Sequence, residues 1–197
     1  MNAPEPSAAP ATDDDLLRRY AAHQDQQAFA TLASRYVNFV YSTAARQVRD
    51  RHLAEDVTQA VFIVLAQKAG RMRSGTILSN WLFVTTRYAA ANARKTEARR
   101  RHYEHQSATM PRTQDDHAES TAWEDVAPLL DTALTGLGRR EREAVLLKYI
   151  EGKSNQDVAA LIGISEEAAR KRVSNPRMPV KKANARSRSS TSMNGVT

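Results

Sequence analysis

Residues 157–173 read Asp157-Val158-Ala159-Ala160-Leu161-Ile162-Gly163-Ile164-Ser165-Glu166-Glu167-Ala168-Ala169-Arg170-Lys171-Arg172-Val173. Ala159 is small where two helices would cross closely. Gly163, four residues on, supplies the positive φ of a tight turn. Ile164 plugs the space between the helices, and Ser165 caps the second one. Ala169 and Val173 fall on that helix's inner face, whereas Arg170, Lys171 and Arg172 project outward, within reach of phosphates and guanine edges. This is the spacing of a DNA-binding helix-turn-helix. Any small helical pair could use the same Ala-x-x-x-Gly-x-Ser pattern with merely solvated cations; the charge run favours the nucleic-acid reading.

Working outward, the helices of this unit span about 123–137, 140–150, 155–162 and 166–174. Gly136 and Gly138 break the first pair, and Ser154 and Ser165 cap the last two. Pro128 fits only in a first turn or at a kink. Downstream, Ser174-Asn175-Pro176-Arg177-Met178-Pro179 places two prolines three apart, which should stop the last helix near Ser174 or Asn175.

Charge divides the chain further. The 197 residues carry 29 Lys+Arg against 22 Asp+Glu, a formal net charge of +7, in opposed blocks. Arg87, Arg94, Lys95, Arg99, Arg100 and Arg101 face only Glu97. Asp115, Asp116, Glu119, Glu124 and Asp125 follow without a cation. Residues 170–188 are wholly cationic, with Arg177, Lys181, Lys182, Arg186 and Arg188 beyond the three named above. Two basic segments joined by an acidic, polar stretch read as two modules and a linker; one domain with a long charged loop is the alternative, and such loops are uncommon. The expected organisation is a disordered N-terminus (1–12), a first unit (13–105), a linker (106–121), a second unit (122–183) and a disordered tail (184–197).

The first unit also reads as helices. Asp13, Asp14 and Asp15 suit the start of a short one. The next, about 26–48, carries Phe29, Leu32, Ala33, Tyr36, Val40, Thr43 and Ala44 at three- and four-residue steps. Asp50 is a good N-cap for a third helix carrying Leu53, Val57, Val61, Val64 and Leu65, which should end near Gly70 in a left-handed turn. A fourth helix runs from about 79 to 102 with Trp81, Val84, Thr85 and Tyr88 on one side, where Trp81 reads as core rather than as a base-stacking platform. Both units are therefore all-α.

On that fourth helix Asn80, Arg87, Arg94 and Arg101 recur every seven residues, a stripe drifting only ~20° per step. It suits a nucleic-acid backbone, although an ordinary solvated face would look the same. On the third helix Glu55, Gln59 and Phe62 share a face turned away from the valines, and an exposed Phe beside carboxylates suggests a protein partner.

Cysteine is absent, which removes disulfides, thiolate chemistry and Cys-based metal sites. His23, His52, His102, His105 and His117 show no metal-ligand arrangement, and no metal or cofactor is expected. No Gly-rich phosphate loop, paired-carboxylate site or nucleophile motif appears, so an enzyme, and with it a small-molecule substrate, is disfavoured. The longest apolar run, residues 60–66, is far short of the roughly 18 a membrane span needs, and no signal peptide is visible. A cytoplasmic protein with a nucleic-acid partner is expected.

In residues 50–62 (Asp-Arg-His-Leu-Ala-Glu-Asp-Val-Thr-Gln-Ala-Val-Phe), 81–92 (Trp-Leu-Phe-Val-Thr-Thr-Arg-Tyr-Ala-Ala-Ala-Asn) and the helix-turn-helix, the sequence resembles the sigma-70 family of bacterial RNA polymerase sigma factors. The resemblance covers about residues 13–175 and points to the short extracytoplasmic-function group, which keeps only sigma regions 2 and 4. It implies that Glu55, Asp56, Gln59 and Phe62 dock on the clamp of core RNA polymerase. It also implies that residues 70–79 and the fourth helix recognise and open the -10 element of promoter DNA, through Asn80, Arg87, Asn92, Arg94 and Lys95. The last helix would read the -35 element through Ser165, Glu166, Arg170, Lys171, Arg172 and Ser174. An anti-sigma factor is a further partner that the resemblance leaves open. The chain departs from the family after Val173, where the usual continuation of the recognition helix is replaced by prolines, and at Ala169, smaller than the branched residue usual there.

Two other readings use the same residues. A free-standing helix-turn-helix regulator would need a dimerisation helix, and none is visible. A sigma-like adaptor would dock on polymerase without directing transcription, its -35 helix cut short by the prolines.

Overall fold

A computed structural model describes residues 11–48, 50–107 and 122–176. The first ten residues, most of the expected linker (from 108), His117 and the tail from 177 lie outside the described residues. Eight α-helices are present among them, with no strand: α1 (Asp13–His23), α2 (Gln26–Val48), α3 (Arg51–Lys68), α4 (Leu78–Ser107), α5 (Ala122–Gly136), α6 (Arg139–Tyr149), α7 (Asn155–Ile162) and α8 (Glu166–Ser174).

Local chemistry sets most helix starts. Thr12 and Asp15 form a capping box at α1, as Ser154 and Asp157 do at α7. Asp50 accepts from the Leu53 amide at 2.7 Å and opens α3. The end of α3 departs from expectation. Gly70 does not adopt a positive φ; α3 stops at Lys68 and a single 3-10 turn, Ala69–Arg71, leads away. That turn tightens the last carbonyls without a left-handed residue.

The four N-terminal helices enclose one core. Leu16 and Leu17 of α1, Leu32, Tyr36 and Val40 of α2, Val57, Val61 and Leu65 of α3, and Leu78, Leu82 and Ala90 of α4 are buried together. Buried hydroxyls are satisfied locally: Thr43, Thr58 and Thr86 each donate to the carbonyl four residues back, at 2.7–2.8 Å. Along α4 the expected apolar side is displaced. Val84 and Tyr88 are exposed, and the inward positions are Leu78, Leu82, Phe83, Thr86 and Ala90, with Trp81 half-buried against them.

The C-terminal unit has a separate, smaller core made by Ala144, Leu147, Val158, Ala159 and Ala169, with Ile162, Ile164 and Val173 packed on it. Gly163 stands at φ 68° as the left-handed cap of α7, and α8 ends after nine residues at Ser174, where Pro176 forbids continuation. Pro128 lies inside α5, past its first turn. The two units are not held apart. Ile77, just before α4, packs on the second core, and α5 and α6 rest on α2 and α4.

Candidate functional site

The helix-turn-helix follows from short-range rules. The Gly163 amide returns to the Ala159 carbonyl and the Ile164 amide reaches the same oxygen at 3.0 Å. Ser165 Oγ then accepts from the Ala168 amide at 3.3 Å. These bonds fix the angle between α7 and α8, so that buried Ala169 faces inward. Ser165, Glu166, Arg170, Lys171 and Ser174 lie on the exposed surface, and Lys171 pairs with Glu167 at 2.8 Å. Arg172 does not project outward as expected. It is half-buried, with Nε 3.6 Å from Glu141 on α6. On a helix so short, a residue three beyond buried Ala169 lies over the flank that meets α6.

The stripe on α4 is divided in two. Asn92, Arg94 and Lys95 are exposed, as is Arg101, whose Nε lies 3.0 Å from Glu97. Asn80 and Arg87, by contrast, are enclosed against the second unit. Asn80 Oδ1 accepts from Arg142 Nε at 2.8 Å, and its amide nitrogen lies 3.4 Å from Glu143 Oε1. The guanidinium carbons of Arg87 and Arg142 sit 5.9 and 6.0 Å from the centroid of buried Phe83, and Arg87 Nε is buried without a hydrogen-bond partner. Burial holds the Arg142 guanidinium below its ordinary pKa, Glu143 opposing and Arg87 adding to the shift.

Between α2 and α3 lies an apolar groove of about 550 Å³ whose walls include Val37, Tyr41, Glu55, Gln59, Phe62 and Ile63. It brings together three of the four expected docking residues. Asp56 is elsewhere, in a charged cleft of about 760 Å³ beside Arg94 and Glu97. Phe62 is half-buried against the first core rather than exposed. The free apolar surface belongs instead to Val37, 40% exposed, and Ile63, 50% exposed. Both were legible in principle: Phe29, Ala33, Val37 and Tyr41 recur every four residues, a second apolar ridge on α2 beside the core one.

Comparison with known proteins matches this arrangement unit by unit. The family model described as sigma-70 region 2 matches residues 32–100, and that of sigma-70 region 4 matches residues 128–175. The RNA polymerase sigma factor CarQ of Myxococcus xanthus is 38% identical over 152 residues, spanning 75% of this chain and 83% of its own length. The chain belongs to the sigma-70 family of RNA polymerase sigma factors.

A second relative places this sigma factor in the extracytoplasmic-function group. The ECF RNA polymerase sigma factor SigK of Mycobacterium sp. (strain KMS) is 30% identical over 144 residues, covering 72% of this chain and 75% of its own length. Among solved structures, CnrH in complex with the cytosolic domain of CnrY is 21% identical, with a TM-score of 0.40 over 82% of this chain and 90% of that one. The sigma factor RpoE bound to the anti-sigma factor NepR, from Bartonella quintana, is 24% identical, with a TM-score of 0.34 over 74% of this chain and 89% of that one. A sigma factor associates with core RNA polymerase and directs it to promoter DNA, and the helix-turn-helix lies within the residues matched to region 4. No helix among the described residues is long and apolar enough to cross a membrane.

Proposed function

We propose how the surfaces divide this work. The groove between α2 and α3 seats core polymerase, with Ile63 and Val37 as apolar anchors, Phe62 as its floor, and Glu55 and Gln59 on the walls. Asp56, outside the groove, contributes charge near its edge. The exposed half of α4, through Asn92, Arg94 and Lys95, follows the backbone of the -10 element, with Asn80 and Arg87 joining once uncovered. The exposed face of α8, with Arg170 and Lys171 foremost and Ser165, Glu166 and Ser174 beside them, enters the -35 major groove. Arg172, tied to Glu141, positions α8 against α6. The factor itself is non-catalytic and works in the cytoplasm, beside the polymerase and the DNA. An anti-sigma factor is a further candidate partner, as in the two structural neighbours.

The observation that carries this reading is the pairing, on one chain, of an outward cationic half-helix with a fully capped helix-turn-helix. Opening DNA requires unstacking, which costs a few kcal/mol. Cationic backbone contacts offset part of that cost, and two tethered contacts reinforce each other through effective concentration.

Permanganate footprinting of open complexes tests the -10 assignment. Arg94→Ala with Lys95→Ala should lower reactivity across the -10 element several-fold, and more so at higher salt, while polymerase binding is retained. Undiminished reactivity would remove this face of α4 from promoter opening.

A further inference from the structure

The segment between α3 and α4 runs in the open, yet its tip is held. At Met72 the backbone is extended (φ -73°, ψ 136°), so successive side chains leave on opposite sides. Met72 packs on the first core, and Arg71 and Arg73 are exposed. Residues 73–76 then close a tight turn. The Thr76 amide and hydroxyl both donate to the Arg73 carbonyl, at 3.1 and 2.6 Å, and Gly75 takes φ 76°. Within that turn Ser74 donates its hydroxyl to Asp14 Oδ2 on α1, 2.8 Å away and 60 residues back in sequence. Among the described residues, no other hydrogen bond ties residues 73–76 to another helix. The anchor is itself fixed. Arg18 lies 3.4 Å from the same Asp14 oxygen. The neighbouring Asp13 pairs with Arg35 of α2 at 2.7 Å and accepts from the Tyr36 hydroxyl. Behind the tip, the 3-10 turn is seated on α1, where a Cβ on Gly70 would stand 3.8 Å from that of Ala21.

We infer that Asp14 is a positioning residue for promoter selectivity: by holding Ser74 it sets the direction in which the loop tip, with Arg71 and Arg73, meets DNA, so that α1 helps to decide which -10 sequences are opened. The inference rests on the reading of residues 70–79 as part of the -10 recognition surface. A loop tip with few buried apolar contacts draws its order from a small number of bonds. A hydrogen bond to a carboxylate is stronger than one between neutral groups, and the Ser74 bond is of that kind. A tip fixed before binding avoids the ordering cost when DNA arrives. It also fails to re-aim toward an imperfect sequence, which sharpens discrimination against the wrong base. A freed tip does the reverse, losing affinity for the best sequence and tolerating others. Arg73 precedes Ser74 directly, so a small rotation at Ser74 swings its guanidinium across the surface.

Run-off transcription with the full chain and core polymerase measures selectivity as a ratio: the yield from a template that the chain transcribes, divided by the yield from the same template with one base of the -10 element changed. Ser74→Ala and Asp14→Ala should each lower that ratio about threefold. Combining them should lower it no further, since both remove one bond. Asp14→Asn keeps an oxygen that accepts the Ser74 hydroxyl and should retain most of the wild-type ratio. If Asp14→Ala loses helix by circular dichroism, Ser74→Ala, at an exposed loop position, carries the test alone. An equal fall in yield from both templates would mark a merely structural role and overturn the proposal. Effects that multiply in the double variant, or an Asp14→Asn variant no better than Asp14→Ala, would also overturn it. Arg71→Ala with Arg73→Ala tests the underlying reading. A changed ratio there, beside unchanged ratios in Ser74→Ala and Asp14→Ala, would overturn the tether and leave the loop on the -10 element. An unchanged ratio in all of these variants would remove the loop from promoter recognition, and the tether with it.

Discussion

Ile63 offers the cleanest way to separate docking from folding. It is 50% exposed on the wall of the α2–α3 groove, so about half of its side chain is available for burial by a partner. Full burial of an isoleucine contributes about 1.5–3 kcal/mol, so the available half contributes about 1 kcal/mol. Since about 1.4 kcal/mol is tenfold in affinity, Ile63→Ala should weaken binding to core polymerase about fivefold. Loss of its buried half should lower stability by only about 1 kcal/mol, since truncating a fully buried isoleucine costs about 2–5 kcal/mol. Phe62→Ala behaves differently. Phe62 is half-buried against Val61-side core residues, and since full Phe→Ala truncation costs about 3–5 kcal/mol, about 2 kcal/mol of folding stability should go with any loss of binding. The assay is a fluorescence-anisotropy titration of labelled sigma factor with core polymerase, alongside urea unfolding of each variant. Unchanged affinity for Ile63→Ala, and again for Ile63→Ala with Val37→Ala, would refute the groove as the docking surface.

Three other outcomes follow from single features. Arg170→Ala should weaken footprint protection over the -35 element several-fold with stability unchanged, whereas Arg172→Ala should act mainly on the stability of the α6–α8 packing; equal effects on the footprint would contradict their different placement. At Gly163, φ 68°, an added Cβ meets nothing within 4 Å. Gly163→Ala should therefore cost only the left-handed backbone penalty, about 1 kcal/mol by urea unfolding, with Gly163→Asn milder; no loss would show that the turn tolerates any residue. Burial, with repulsion from Asp13 added, raises the Glu151 carboxyl above its ordinary value of 4.5. The folded chain then holds that proton more tightly than the unfolded one, so the contribution is present below pH 4.5 and is lost as pH rises through the folded value. The wild-type stability relative to Glu151→Gln should decline over that rise, and a flat difference would place Glu151 in water.

The parts of this fold that were legible in the sequence rest on short-range rules. Capping at Asp50, Ser154 and Ser165, the left-handed Gly163, and the stop before Pro176 each involve residues within a few positions of one another, so spacing alone locates them. Gly70 misled because a glycine permits a left-handed cap without requiring one, and the chain closed α3 with a 3-10 turn instead. The face of α4 was misread for another reason. A helix that serves one core shows one apolar stripe, but α4 serves the first core through Leu82 and the second unit through Phe83 and Asn80, and two superposed patterns hide each other. Arg172 and the Arg46–Asp131 ion pair between α2 and α5 are invisible to any local reading, because Glu141 and Asp131 reach them only through the packing of distant helices.

Run-off transcription from a library of genomic promoter fragments, using purified core polymerase with and without this chain, tests the central assignment most directly. Discrete transcripts whose start sites share common -10 and -35 sequences should appear only when the chain is present. Stable association with core polymerase that yields no start sites from any fragment would contradict the account and leave only a docking protein.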